Sequence, residues 1–383
     1  MSDRALSLGF VGGGPNSAAG KAHFSAVCID GLWSLDAGAF STQAKRNTQA
    51  ATIYGVESSR IYSSLGELLK HERERLDAIV ILTPTPLHFE MVNSCLHAGF
   101  PVICEKALAI NSCEAQKIED LCDEKKAFLA VVYNYSGYPM VRELRHMIRE
   151  GRLGEILYFQ AEMPQEGYLR VDDHGNKPSV QKWRQADGPI PTLYLDLAVH
   201  LHQIVFYLTN EKPLQVVADQ SSNGWFGAID NAACLARYTN NVQGQFWFSK
   251  CALGYRNGLR IKVYGSKASA EWIQSYPEEL LVCYGDGRRE ILDRGSNIKV
   301  ARNRRFSRFK AGHPAGFVEA LANLYGDIHT ALRGYYSTGY LQSDEVFGPA
   351  LAKEGLIMFE SMLRSFASGS WERTDLSTSP RDT

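Results

Sequence analysis

A short apolar run, Val102-Ile103-Cys104, leads directly into two charged residues, Glu105 and Lys106. The run reads as a buried strand, and in an open α/β sheet ligands collect at the carboxyl ends of the strands. An ammonium held there is costly unless an anionic or polar group uses it. Lys106 is therefore a candidate to polarise a reacting oxygen, a large effect in a water-poor site. The plain alternative is a lysine emerging into water. A second set is Asp196-x-x-x-His200. On a helix this spacing puts both side chains on one face. A neutral imidazole can remove a hydroxyl proton near neutral pH, and a carboxylate beside it can fix its tautomer. The plain alternative is an aspartate that caps the helix and a satisfied core histidine. His202 faces elsewhere and no third ligand has suitable spacing, so no metal site is expected.

The third set is a glycine loop. Gly12-x-Gly14-x-x-Ser17 follows a strand pattern and precedes a helix pattern. It matches the dinucleotide fingerprint except at the last position. The first two glycines permit a tight turn and close approach to a pyrophosphate seated on the helix N-terminus. Pro15 and Asn16 complete the loop, and Ser17 fits if the helix sits slightly further from the strand. An ordinary glycine turn is the alternative. The end of the second strand reports cofactor type. Ala39-Phe40 is followed by Ser41-Thr42-Gln43-Ala44-Lys45-Arg46, without the acid that NAD enzymes use on ribose hydroxyls. The hydroxyls of Ser41 and Thr42 and the nearby cations suit a 2′-phosphate, which leans toward NADP. Lys45 and Arg46 equally suit solvated helix positions.

These residues need a sheet to position them. Strand patterns at 6–11, 33–40, 78–83, 102–105 and 128–132 alternate with helix patterns at 18–29, 44–54, 64–71, 88–98 and 112–125. Near-continuous apolar strands separated by helices predict a parallel sheet buried on both faces. Beyond residue 133 the texture changes. Runs with β character fall at 156–163, 215–220, 232–238, 242–248, 260–264, 270–273 and 279–283, interrupted by helices at 140–150 and 195–208. Helices at 315–332 and 347–366 come last, and the tail 374–383 is expected to be frayed. The fold expected is α/β: an N-terminal Rossmann domain with a doubly wound parallel sheet, residues 1–132, then an α+β domain, residues 133–383. The second domain carries a large, mostly antiparallel, open-faced sheet, and the last helix is a candidate to pack back on the first. An uncovered sheet face predicts a homodimer or homotetramer.

Bulk properties narrow the function classes. The 383 residues carry 41 basic and 42 acidic side chains, a net charge of −1, with the signs interleaved. Neither a nucleic acid nor an anionic membrane is an expected partner. The eight cysteines show no CxxC or metal spacing, the pattern of a reducing compartment. No apolar stretch reaches the roughly 20 residues that span a bilayer, and no leader pattern opens the chain. A cytoplasmic protein is expected.

Taken together, the motifs resemble the Gfo/Idh/MocA family of oxidoreductases over nearly the whole length. They are Gly12-Gly13-Gly14, Thr83-Pro84-x-x-x-His88, Cys104-Glu105-Lys106, Trp183-Arg184 and Asp196-x-x-x-His200. The run 134–140, Asn-Tyr-Ser-Gly-Tyr-Pro-Met, and His313-Pro314 resemble one subgroup. The resemblance implies nicotinamide-dependent oxidation of a sugar or cyclitol secondary alcohol, or the reverse reduction. It implies that Lys106 matches the family's Glu-Lys-Pro lysine beside the reacting oxygen. Asp196 and His200 match its substrate-binding aspartate and its general acid/base. Thr83, Pro84, His88 and Glu105 join the cofactor side, with Glu105 orienting Lys106 or a ribose. Tyr135, Trp183 and Arg184 are expected on the sugar. Three departures stand out. Ala107 replaces the family proline, Pro189-Ile190-Pro191-Thr192 replaces the glycines before the aspartate, and Gln203 stands three positions past the histidine. Two other readings share the glycine loop: redox-assisted glycoside cleavage and a nicotinamide-binding regulator without turnover. The regulator has no need of Lys106, Asp196 and His200 together.

Overall fold

A strand such as Ala78–Leu82, apolar at every position, must be covered on both faces, and the computed structural model, which describes residues 4–375, supplies both covers. The chain divides into two compact units, Met1–Gly137 with Gly316–Lys353, and Tyr138–Ala315 with Glu354–Thr383.

The first unit runs β1 (Leu6–Gly12), α1 (Ala18–Ile29), β2 (Trp33–Ala39), α2 (Ala44–Tyr54), α3 (Leu65–Glu72), β3 (Ala78–Leu82), α4 (His88–His97), β4 (Val102–Glu105), α5 (Ser112–Lys125) and β5 (Leu129–Val132). The five strands form a parallel sheet in the order β2-β1-β3-β4-β5. The order reverses between β1 and β3, and such a switch point is where open α/β sheets bind ligands. One face packs Leu8, Phe10, Val80 and Ile103 against a later helix, Phe317–Thr338, through Leu321, Leu324, Tyr325 and Ile328. The other face packs Ile79, Ile81, Val102 and Cys104 beneath α4 and α5 residues such as Val92 and Ile118. A single cut after residue 132 leaves Gly316–Lys353 in the second domain, whereas here it belongs to the first unit. The reason is the apolar stripe of Phe317–Thr338, so the helix that returns is the one before the last. The last helix, Pro349–Ser368, adds only its start, including Ala352, to the first unit's core.

The second unit holds α6 (Pro139–Arg149), β6 (Ile156–Pro164), α7 (Val199–Thr209), β7 (Pro213–Ser221), β8 (Asn231–Tyr238), β9 (Gln243–Ser249), β10 (Arg260–Gly265), β11 (Ala268–Ile273), β12 (Leu280–Tyr284), β13 (Arg289–Leu292) and β14 (Glu372–Arg373). Its nine strands pair in the order β13-β12-β11-β10-β6-β9-β8-β7-β14, antiparallel except for β6 with β9. Alternation sorts the faces. Phe159, Phe246, Phe248, Ile261, Val263 and Trp272 are buried, while Leu235 and Tyr264 on the opposite parity are exposed. Thr374, just past β14, departs from the frayed tail expected from residue 374, because its N donates to Leu214 O at 3.1 Å. The remainder of that expectation, residues 376–383, lies outside the described residues. Among the described residues no helix is long and apolar enough to cross a membrane.

Candidate active site

The glycine loop is built by close approach. Gly12 and Gly13 adopt φ of 87° and 74°, left-handed values that favour glycine. A Cβ on Gly12 would sit 2.8 Å from the Leu82 carbonyl of β3, and one on Gly14 would sit 3.4 Å from Phe40 O. Ser17 does not take the place of the third fingerprint glycine. It caps α1, its Oγ accepting from Gly20 N at 3.0 Å. The closest helix-to-loop approach is at Gly20, where a Cβ would meet Gly13 Cα at 2.7 Å. Tyr54 locks the turn by donating to Gly13 O at 2.6 Å. Pro15 is half-buried and Asn16 exposed on the same turn. Beyond β2, Asn47 Oδ1 accepts from Phe40 N at 2.8 Å and Ser41 N at 3.3 Å, which fixes the strand end. Thr42 and Arg46 are exposed there, and Arg46 Nη2 lies 4.0 Å from the position a Gly14 Cβ would take.

Glu105 and Lys106 stand at the carboxyl end of β4, both half-buried. Glu105 Oε1 lies 2.8 Å from His23 Nε2, and His23 Nδ1 lies 2.7 Å from the Tyr325 hydroxyl. An ionised carboxylate only accepts, so His23 donates from Nε2 to Glu105, and its Nδ1 meets the Tyr325 hydroxyl. Burial pushes the Glu105 carboxyl up, but the His23 hydrogen bond and the fields of His23, Lys106 and His88 outweigh it, so it lies below its ordinary value. The Lys106–Ala107 peptide bond is cis. His88 is fully buried, with Nδ1 2.7 Å from Ala107 O and Nε2 2.8 Å from Thr83 O. Burial lowers its pKa, so a neutral ring donates to one of the two carbonyls. His88 therefore ties the end of β3 to the segment after Lys106, and both its nitrogens face backbone rather than a ligand. Pro84 starts the turn Thr85–Leu87 that leads into α4. Tyr135 is 2% exposed, on the buried turn Asn134–Gly137 after β5.

The second unit holds the other set. Asp196 lies on a π-helical turn, Tyr194–Ala198, which runs directly into α7. Such turns recur at functional sites. One of its oxygens, Oδ2, carries two cations: Arg184 Nη1 and, at 2.5 Å, Lys250 Nζ. Arg184 comes from a short 3₁₀ turn, Lys182–Arg184, and its guanidinium lies 4.6 Å from the Trp183 ring centroid. Trp183 donates to Gln181 Oε1 at 3.0 Å. The Tyr168 hydroxyl donates to Arg184 O at 2.7 Å, and burial, then Asp196, pushes that hydroxyl up to about 12. His200 is buried one turn further on, at 6% exposure. Three residues beyond it, Gln203 is fully buried, with no hydrogen-bond partner for its amide among the described residues. His202 packs on the last helix, with Nε2 3.5 Å from Glu354 Oε1. The i,i+4 reading of Asp196 and His200 placed both on one helix, whereas the pair spans the π-helical turn and the first turn of α7. It missed the partners that hold the aspartate, which come from Arg184 and Lys250, distant in the chain. His23, Tyr325, Gly20 and Lys250 carry no motif, and only their burial reveals them.

The carboxyl edge of the parallel sheet suits a nicotinamide dinucleotide. The glycine cradle at the end of β1 is space that side chains would fill. Two buried polar atoms at the same edge, Thr83 Oγ1 after β3 and Asn134 Nδ2 after β5, have no hydrogen-bond partner among the described residues. Buried polar groups are rarely left so without a ligand or water.

Comparison with known proteins agrees. Residues 6–133 match the model of an oxidoreductase family with an NAD-binding Rossmann fold, and residues 141–271 match the GFO/IDH/MocA C-terminal domain. An oxidoreductase of Bacillus subtilis, YfiI, is 33% identical over 330 residues, covering 84% of each chain. Levoglucosan dehydrogenase of Pseudarthrobacter phenanthrenivorans is 26% identical over 310 residues, covering 73% of this chain and 76% of its own. The structure of an inositol dehydrogenase homolog from Azotobacter vinelandii, complexed with NADH and myo-inositol, superposes with a TM-score of 0.86 at 27% identity, covering 97% of this chain and 98% of its own. The chain belongs to the Gfo/Idh/MocA family and is an NAD-dependent dehydrogenase.

Proposed function

We propose that this dehydrogenase acts on a secondary alcohol of a sugar, sugar derivative or cyclitol, or on the corresponding ketone. The observation that carries this reading is the carboxyl edge of the parallel sheet, where the glycine cradle, the unpartnered Thr83 hydroxyl and Lys106 share one sheet end. Inositol and levoglucosan dehydrogenases among the relatives support a polyol substrate. A bound nicotinamide supplies the hydride acceptor. Residues Gly12, Gly14, Pro15, Asn16 and Ser17 would hold its pyrophosphate. Thr83, Pro84 and Glu105 would serve the ribose and nicotinamide side, and His88 would act through the backbone it bridges.

In this proposal Lys106 polarises the reacting oxygen and stabilises its charge as the carbon is oxidised. His200 takes the hydroxyl proton, a task suited to neutral imidazole. Asp196, held by cations, accepts hydrogen bonds from substrate hydroxyls, and Tyr135, Trp183 and Arg184 add stacking and polar contacts. Lys106 and the Asp196 group are proposed to serve one reaction. NADP is proposed to be accepted as well as NAD, because Ser41, Thr42 and Arg46 stand where an acid would exclude a 2′-phosphate. The half-exposed sheet face bearing Leu235 and Tyr264 is proposed to pair with a second copy.

The test is a panel of polyols and cyclitols with NAD⁺ and NADP⁺, read at the reduced-nicotinamide absorbance. Stoichiometric reduced cofactor and ketone support the reading. Glycoside cleavage without net cofactor reduction would replace it, and no turnover on any member would reject it.

A further inference from the structure

Lys250 is a buried ammonium that no sequence motif accounts for. It follows β9, and its backbone is pinned on both sides: its N donates to Asp230 O at 2.7 Å and its O accepts from Tyr168 N at 2.8 Å. The side chain is 5% exposed. Its Nζ lies 2.5 Å from Asp196 Oδ2 and 5.1 Å from the Tyr168 ring centroid. Burying an ammonium costs several kcal/mol in real proteins, which only a well-placed counter-charge offsets. Such an arrangement is kept only where the fixed charge has a use, or where the rest of the fold over-determines it.

The two cations on Asp196 differ in how they are held. Arg184 sits on a three-residue turn, with a side chain 28% exposed, and reaches the carboxylate from a loop. Lys250 reaches it from the end of a strand whose neighbours β6 and β8 are hydrogen-bonded on both sides. Lys250 is the rigid arm. Asp196 sits on a π-helical turn, an irregular element that recurs at functional sites, so a fixed partner outside the turn holds its carboxylate in place. The backbone of Lys250, fixed to Asp230 and Tyr168, anchors that partner.

We infer that Lys250 is a positioning residue that fixes the Asp196 carboxylate for substrate binding, through the contact of its buried ammonium with Asp196 Oδ2. The inference rests on the substrate role proposed above for Asp196.

Two measurements test it. The first is a melting cycle of Lys250→Met, Asp196→Asn and the double variant, read on the full chain. Lys250→Met should lower Tm by about 5 °C in the wild-type background and much less in the Asp196→Asn background. Additive shifts would overturn the coupling. The second uses the best polyol of the panel. Lys250→Met should lower kcat/KM by about 30-fold, mainly through a higher substrate KM, as expected for a lost polar contact in a buried site. NADH affinity should stay within about twofold of wild type. Lys250→Arg, which keeps the charge, should recover most of the loss. Wild-type kcat/KM in Lys250→Met, or equal losses in Lys250→Met and Lys250→Arg, would overturn the positioning role. Absence of wild-type turnover on every polyol rejects the proposed function instead, and the melting cycle still decides the Lys250–Asp196 contact.

Discussion

The glycine loop and the Asp196 cluster, both proposed to meet a ligand, are held in place by opposite means. The loop uses backbone. Gly12 to Ser17 are consecutive, and their geometry comes from left-handed glycines, a serine cap and the Tyr54 hydroxyl on Gly13 O. The cluster uses side chains from three separate segments, Arg184, Asp196 and Lys250, meeting on one oxygen. A backbone cradle tolerates little added volume, whereas an ion cluster tolerates shape change but little loss of charge. Substitutions that add volume should therefore damage the first region most, and those that remove charge the second.

The largest effect is expected at the loop. Gly12→Val forces a branched side chain onto φ of 87° and against the Leu82 carbonyl. Nicotinamide affinity by fluorescence titration should fall about 100-fold or more, roughly 3 kcal/mol. Affinity within threefold of wild type would remove the loop from the cofactor site. Asp196→Asn comes next, since it keeps volume and deletes the charge shared by the buried Lys250 and the half-buried Arg184. Loss of such a partner costs about 3 kcal/mol, visible in chemical denaturation, and kcat/KM should fall by more than tenfold with nicotinamide affinity unchanged. Loss confined to nicotinamide affinity would contradict the division between the regions.

A smaller, pH-dependent effect is expected at His23. The Glu105 carboxyl lies below its ordinary value, so its stabilising contribution is present above the ordinary carboxylate range and is lost as pH falls through the lowered folded value. Replacing His23 by Leu removes the hydrogen bond and the field that contribute most against burial. The Glu105 pKa then rises, and the acid limb of both stability and kcat should move to higher pH. An unmoved acid limb would show that Glu105 is held by other groups. The smallest effect is at Arg46, exposed at the end of the loop region. Arg46→Ala should reduce NADP⁺ use by about fivefold while leaving NAD⁺ use within twofold, and equal changes would remove the arginine from cofactor choice.

The two regions also differ in how much the chain's linear order discloses. Motifs of short span, such as the glycine loop, Thr83 to His88 and Glu105-Lys106, were legible because one turn between a strand and a helix sets their geometry. Helix bounds in the first unit followed from the same signals, down to Ala18–Ile29 and Ser112–Lys125. The third fingerprint position was misplaced because close packing occurs one turn later, at Gly20, where a helix already in register meets the loop. Nothing local marks His23, which acquires meaning only when Tyr325, 302 residues away, closes on it. Lys250 is equally silent. A lysine after a strand ordinarily reads as solvated, and its burial depends on Tyr168 and Asp230, which sheet pairing brings near. The return of Phe317–Thr338 to the first unit was illegible for a related reason: an apolar helix stripe shows that a partner exists and not which sheet it is.

The central claim is that Lys106 and the Asp196 group serve the same hydride-transfer reaction. The most direct measurement is the single-turnover rate of nicotinamide reduction, with saturating cofactor and the best polyol, for wild type, Lys106→Ala and Asp196→Asn. The account predicts that Lys106→Ala slows that step by about 100-fold or more, near 3 kcal/mol of transition-state stabilisation. It predicts that Asp196→Asn slows the same step or weakens polyol binding, while both variants bind reduced nicotinamide as the wild type does. A Lys106→Ala enzyme that keeps more than about a tenth of the wild-type rate would contradict it.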